Sequence, residues 1–225
     1  RRLEHIARWA STARLSNPAA DLPRNAVRLE IYGEHVTGEL APLDTSSGLR
    51  LEYEQVDGRW RWPRVQIRLH NVTVDQRLFC MLLDLTESYS IYTGLLSRGG
   101  VWLEPGEEAW ATVLVRGRLR KTIDLFIPDA LWRQGVTATR DILKLIVSTD
   151  EADATLLQQG DLPVTALPPA TRSLPRCMNM LNRLMARVHT RAVGVAPGSE
   201  DTFSDWTTVE VAATVMRPAV AEVVG

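Results

Sequence analysis

Of the 26 basic residues in this chain of 225, only Lys121 and Lys144 are lysines. That imbalance reads as the codon usage of a GC-rich bacterium, so a single arginine carries little functional information. Cysteine is equally scarce, at Cys80 and Cys177. Two cysteines cannot build a disulfide framework, and a reducing cytoplasm is the expected compartment. Charge of one sign is lacking too. Lys and Arg number 26 against 27 for Asp and Glu, a net charge of −1. No global field therefore favours nucleic acid or a membrane surface, and neither is expected as a partner. No stretch reaches the ~20 apolar residues of a membrane helix, and no secretory leader is expected. The chain opens Arg1-Arg2-Leu3 without an initiator methionine. A piece of a longer protein is the simplest expectation.

Catalytic signatures are also missing. Gly94-Leu95-Leu96-Ser97-Arg98-Gly99 has the wrong spacing for a nucleophile elbow. No phosphate-binding glycine loop, CxxC pair or HExxH helix occurs, so neither a cofactor nor a metal is expected. Asp150, Glu151 and Asp153 lack the order of a calcium loop. Asp150 or Asp153 suits a helix cap before Leu156-Leu157 better. Glu87 follows Asp84 in a separate loop, and nothing in the sequence couples the two as acid and base. Cys80 sits inside the apolar run Phe79-Cys80-Met81-Leu82-Leu83, where a thiol behaves as a small hydrophobe. His35 and His70 are conceivable partners for it, but burial would leave it inert. Cys177 precedes a helical stripe, and a helix N-terminus activates a thiolate. A stand-alone hydrolase would use Cys177 with a histidine such as His189.

What the chain has in quantity is short apolar runs separated by turns. Val65, Ile67 and Leu69 alternate with polar residues, as do Val27, Leu29 and Ile31, and Leu49, Leu51 and Tyr53. A period of two puts alternate side chains on one face, the mark of a half-buried strand. Arg77 to Thr86 is apolar on both faces and reads as a central strand. Further strands are expected at Val101 to Glu104, Ala109 to Val115, Arg118 to Ile127, Asp141 to Thr149 and Trp206 to Arg217. Gly33 to Gly48 reads as loop, and one helical turn is expected through Leu131-Trp132. Leu3, Ile6, Ala7, Ala10 and Ala13 recur at helical spacing, and Asn17-Pro18 ends that helix. Pro163, Pro168, Pro169 and Pro175 mark a linker, and a helical stripe follows from Met178 to Val188.

The pattern predicts a mainly β protein, an antiparallel β-sandwich with a Greek-key-like return, an N-terminal helix and one or two peripheral helices. Its expected parts are a helical lead-in at 1–20 and a sandwich domain at 21–225, with a Pro-rich insertion and helix at about 160–200.

One segment stands out as a partner surface. Arg59-Trp60-Arg61-Trp62-Pro63-Arg64 interleaves cations with indoles, which suits gripping an acidic partner or stacking on rings. The plain alternative is a hairpin arm with solvated arginines and packed tryptophans. Arg116, Arg118 and Arg120 flank a turn at Gly117, and edge protection accounts for them. A carbohydrate-binding sandwich, with exposed tryptophans stacked on sugars, is a further reading of the same residues.

Several separated blocks resemble a known family. They are Leu3-Glu4-His5-Ile6-Ala7-Arg8-Trp9 with Leu15-Ser16-Asn17-Pro18, Val65 to Asn71 with Leu82-Leu83-Asp84-Leu85-Thr86, Leu103-Glu104-Pro105-Gly106-Glu107, Asp141 to Thr149, and Asp205-Trp206-Thr207-Thr208. In that order they are similar to the C-terminal accessory region of bacterial caspase-like proteins, peptidase family C14. The resemblance implies a non-catalytic binding or regulatory module downstream of a cysteine peptidase. Its expected partner is the upstream peptidase domain, another protein, or both. The His and Cys motifs of the protease itself have no counterpart here, so no catalytic residue carries over. Arg59, Trp60, Arg61 and Trp62 are the expected partner-binding residues.

Overall fold

The computed structural model describes residues 2–162, 181, 184–185 and 205–218. The chain begins with α1 (Arg2–Ala13). Then come β1 (Val27–Glu34), β2 (Leu40–Pro42), β3 (Leu49–Glu52), β4 (Glu54–Val56), β5 (Arg59–Arg61), β6 (Arg64–Asn71), β7 (Leu78–Leu85), β8 (Ile91–Tyr92) and β9 (Val101–Leu103). There follow β10 (Glu108–Trp110), β11 (Val113–Val115), β12 (Arg118–Arg120), β13 (Ile123–Asp124), α2 (Asp129–Arg133), β14 (Ala138–Ser148) and β15 (Trp206–Met216). The protein is mainly β, as its alternating runs predict, and its two larger sheets stack as a sandwich.

One sheet runs β10-β6-β1-β2, with β13 also on β6. The other runs β3-β15-β14-β7-β8, with β9 also on β7. β7 is central, paired on one side with β14 and on the other with β8 and β9. The alternation of each strand decides what lies between the sheets. Val27, Leu29 and Ile31 of β1 and Val65, Ile67 and Leu69 of β6 meet Cys80 and Leu82 of β7 and Leu145 of β14. Fully burying a leucine such as Leu82 contributes about 1.5–3 kcal/mol.

The alternate residues of β7 and β14 face the other way, and this is why Leu78 to Leu83 and Ile142 to Val147 are apolar on both faces but for Lys144. Met81, Leu83 and Ile146 build a second core with Leu15, Trp206 and Leu157, against which Trp9 and Ala13 of α1 pack. Leu181 and Met185 are helical and buried in this layer, in agreement with the expected stripe. The rest of the Pro-rich insertion and of that stripe lies outside the described residues. The order of layers is therefore helix, sheet, sheet.

Four local expectations change, the first being that the run from Arg118 to Ile127 divides into β12, paired with β11, and β13, paired with β6. Gly33 to Gly48 holds β2, which pairs Leu40 with Glu34 and Pro42 with Tyr32. The run from Ala109 to Val115 splits into β10 and β11. Between them the Ala111 amide donates to Ile67 and the Thr112 amide to Leu95, which turns the chain off the sheet. The strands are also not all antiparallel: β15 pairs with β3 in parallel, Leu49 beside Ala213. The cap before Leu156-Leu157 is as expected, with the Thr155 amide donating to Asp153 Oδ1 at 2.9 Å. The helical turn at Leu131-Trp132 is α2.

Candidate functional site

The segment Glu54 to Arg61 folds as a hairpin, with Gln55 opposite Trp60 and Glu54 opposite Arg61. Its turn is Asp57-Gly58, with φ of 51° and 73°. Two successive positive φ values make the tight two-residue turn that Asp-Gly favours. The period of two then separates what the sequence interleaves. Trp60 and Trp62 lie on one side and line a groove of about 390 Å³ with Tyr53, Asp124, Phe126 and Arg217. Arg61 belongs to a second cleft of about 440 Å³ with Arg50, Glu52, Glu54 and Arg64, which Trp62 borders from its other side. Arg59 lines neither. The four expected residues are thus all exposed on one hairpin and its exit, but they do not form one surface.

The aromatic side is built from distant parts of the chain. Trp62 donates its indole N–H to Asp124 Oδ1 at 3.0 Å, and its ring lies 6.1 Å from that of Phe126. Trp60 is 39% exposed, Trp62 48% and Phe126 56%. Apolar rings this open, side by side, make a candidate contact surface. The floor is rigid. The Tyr53 hydroxyl accepts from the Ile127 amide at 3.0 Å. The Arg217 guanidinium lies 4.0 Å from the Trp132 ring centre and 5.4 Å from that of Tyr53. Arg217 also donates to Asp129 Oδ1 at 2.7 Å, a bond that holds the Asp129 carboxyl below the usual range. The result is three open rings over a stacked arginine, flanked by two carboxylates. Only Trp60 and Trp62 were visible in the sequence. The signal for the others was faint: Phe126 stands in an alternating run on the polar side of Leu125 and Ile127.

The remaining polar groups are arranged less suggestively. Cys80 is buried between the sheets, and burial pushes its thiol up to about 12. His70 lies on the outer face of the opposite sheet, and His35 borders the Arg61 cleft, so neither faces Cys80. Cys177 and His189 lie outside the described residues. Asp84 and Asp141 come together at the edge of a small apolar cavity lined by Ile31, Ile67, Leu95 and Leu143. Burial, and secondarily the charge of Asp141, pushes the Asp84 carboxyl up to about 7. Glu87 joins them through the backbone, its amide donating to Asp141 Oδ1 and its carboxylate accepting from the Arg140 amide. Among the described residues no three His, Cys, Asp or Glu side chains cluster as a metal site. The Arg116-Gly117 turn carries a second hairpin, on which Leu114 and Leu119 pair in full exposure.

No described helix is long and apolar enough to cross a membrane. Scans of protein-family models, of curated proteins and of solved structures each find nothing that matches this chain.

Proposed function

We propose that this chain is a non-catalytic binding and regulatory module, an accessory domain downstream of a caspase-like peptidase in a bacterial cytoplasmic protein. The observation that carries the binding role is the groove between Trp60, Trp62 and Phe126, three half-open rings on a floor fixed by Arg217. Tryptophan, tyrosine and arginine concentrate binding energy where they cluster at an interface. A rigid floor lowers the ordering cost of such contacts. A protein segment presenting an apolar side chain and a hydrogen-bond donor to Asp124 fits the groove. The peptidase context rests on the resemblance of the sequence blocks and on nothing in the geometry.

A second reading shares the surface. Indole faces beside carboxylates also suit a sugar ring, whose C–H face stacks while its hydroxyls bond to Asp124 and Asp129. The two readings separate by experiment. Random peptides displayed on phage are panned against the domain, and a glycan array is probed in parallel. Enriched peptides that lose at least about ten-fold in affinity with Trp62→Ala or Phe126→Ala support the protein-binding role. Glycan hits with the same dependence favour the sugar reading. Binding that neither substitution changes overturns the groove as the site.

A further inference from the structure

The two stacked sheets are open along one side. β1 pairs with β6 over its whole length, but on its other edge β2 reaches only Tyr32 to Glu34, and Leu43 then donates to the Ile31 carbonyl. Opposite it, β15 pairs with β14 from Trp206 to Met216, but β3 covers only Ala213 to Met216. Beyond these limits no strand among the described residues pairs with residues 27–31 of β1 or 208–212 of β15. Both free edges border one groove of about 680 Å³, lined by Val27, Leu29 and Val209 at its base and by Arg24, Arg28 and Glu210 at its rim.

The direction of the unused backbone groups follows from the bonds that are made. Successive residues of a strand point their N–H and C=O to opposite sides. The Met216 carbonyl accepts from Tyr53 on the β3 side, and the Trp206 carbonyl accepts from the Asn17 side chain on that same side. The even-numbered residues between them therefore aim outward as well. Thr208 and Glu210 present their N–H and C=O to the groove. On β1 the Ala26 carbonyl bonds to Val72 on the β6 side, so Val27 and Leu29 aim theirs at the groove from across it. Exposed edges of this kind are sites for pairing with another strand.

The groove has ends as well as sides. At one end the chain between α1 and β1 crosses from sheet to sheet, tied by Asn17 to Trp206 and by the Leu22 amide to Asp205. At the other, residues 43–48 cross from β2 to β3. Gly48, at φ +85°, makes the final turn close against the Ala212 carbonyl and closes that end. The window left is about five residues long, roughly 17 Å at the rise of a strand.

Its charge selects the occupant. Glu210 is bound by Lys144, and Glu30 by Arg68. Arg24 and Arg28 have no carboxylate partner among the described residues. We propose that this window binds an extended acidic peptide segment as an added strand beside β15. Alternate aliphatic side chains of that segment would pack on Val27, Leu29 and Val209, and its acidic side chains would meet Arg24 and Arg28. The window shares no residue with the Trp62 groove, so the two proposals stand or fall separately.

The test uses a fluorescein-labelled peptide of alternating Val and Asp, its scrambled and Val/Lys counterparts, and a form N-methylated at alternate residues. The expected results are saturable binding of the Val/Asp peptide, at least about ten-fold weaker binding of the Val/Lys and N-methylated forms, and weakening by added salt. Arg24→Ala with Arg28→Ala lowers affinity similarly, whereas Trp62→Ala leaves it unchanged. Thr208→Pro removes an outward N–H without touching the β14 ladder and abolishes binding. Hydrogen exchange at Thr208 and Glu210 is fast in the free protein and slows on saturation. Slow exchange there without peptide, an edge occupied by a second copy in sedimentation, equal binding of the N-methylated peptide, or no binding at all overturns the proposal. The N-methylated comparison needs no protein variant, so a Thr208→Pro chain that fails to fold leaves the test intact.

Discussion

The ammonium of Lys144, in the middle of β14, donates to the carbonyl of Ala13, the last residue of α1, at 2.8 Å. A helix end leaves carbonyls without partners and carries partial negative charge, so a cation there satisfies both. Lys144 is fully buried, and burial pulls its ammonium below the usual lysine range against the opposing pull of Glu210. The side chain ties α1 to the sheet beside Glu210.

Breaking that arrangement in two ways separates charge from packing. Glu210→Ala leaves a buried ammonium with one neutral partner and costs about 1–3 kcal/mol, less than a fully buried pair because Glu210 is 45% exposed. Lys144→Met removes the charge and keeps the length of the side chain, so its cost is smaller. Denaturant midpoints of the two variants give the order. A larger loss for Lys144→Met means the bond to Ala13 outweighs the cost of burying the charge.

Asp84 sets a pH dependence of unusual sign for a carboxylate. Its folded value of about 7 lies above the unfolded value of about 3.9, so the folded state holds its proton more tightly. This contribution to stability is full below about pH 4, declines as pH rises through about 7, and is gone above it. Asp84→Asn cannot ionise, and at pH 8 it is more stable than the parent by on the order of 1–4 kcal/mol. Thermal melts from pH 4 to 9 check both the slope and its loss in the variant.

Cys80 is inert while the protein is folded. A thiol raised to about 12 and sealed between sheets offers no thiolate to a reagent. In a Cys177→Ser chain, the aromatic disulfide reagent that reports thiols by absorbance gives no reaction at pH 8 until denaturant is added, and then one equivalent. Fast labelling of the native variant contradicts the packing described above.

Gly100 has an extended backbone that any residue can adopt, yet a Cβ there overlaps the Phe79 ring and comes within 3.1 Å of the Cys80 carbonyl. Gly100→Ala must push Phe79 off Trp102, against which it packs edge-on at 5.2 Å. The cost is about 1–3 kcal/mol. Gly58→Ala meets no atom and serves as the contrast, losing stability only through its φ of 73°. Melting temperatures distinguish the two, and a change in the near-ultraviolet circular dichroism is expected for Gly100→Ala alone.

The sandwich was readable where a strand was long and its faces unlike. β6 alternates buried and half-exposed residues along its whole length, so its period is plain. β7 and β14 were readable for the opposite reason, since a nearly unbroken apolar run such as Leu78 to Leu83 marks a strand covered on both sides. β2 escaped notice because three residues show no period, and its pairing with β1 comes from the chain's return rather than from its own composition. The Trp62 groove was half legible. Alternation could place Trp60 and Trp62 together and apart from Arg61, but Asp124, Phe126 and Arg217 reach them only through the packing of β13 and the end of β15. The meeting of Asp84 with Asp141 depends on the register that sets Asp84 beside Leu143, which no local pattern encodes.

The parallel pair of β3 and β15 has a kinetic meaning. β3 sits on the helix-backed sheet only through a strand more than a hundred and fifty positions later, which joins β3 on one side and β14 on the other. Contacts so remote along the chain close slowly. During synthesis the first half of the molecule waits with one flank unjoined until β15 emerges, and a chain cut short ahead of β15 leaves β3 with no sheet to join.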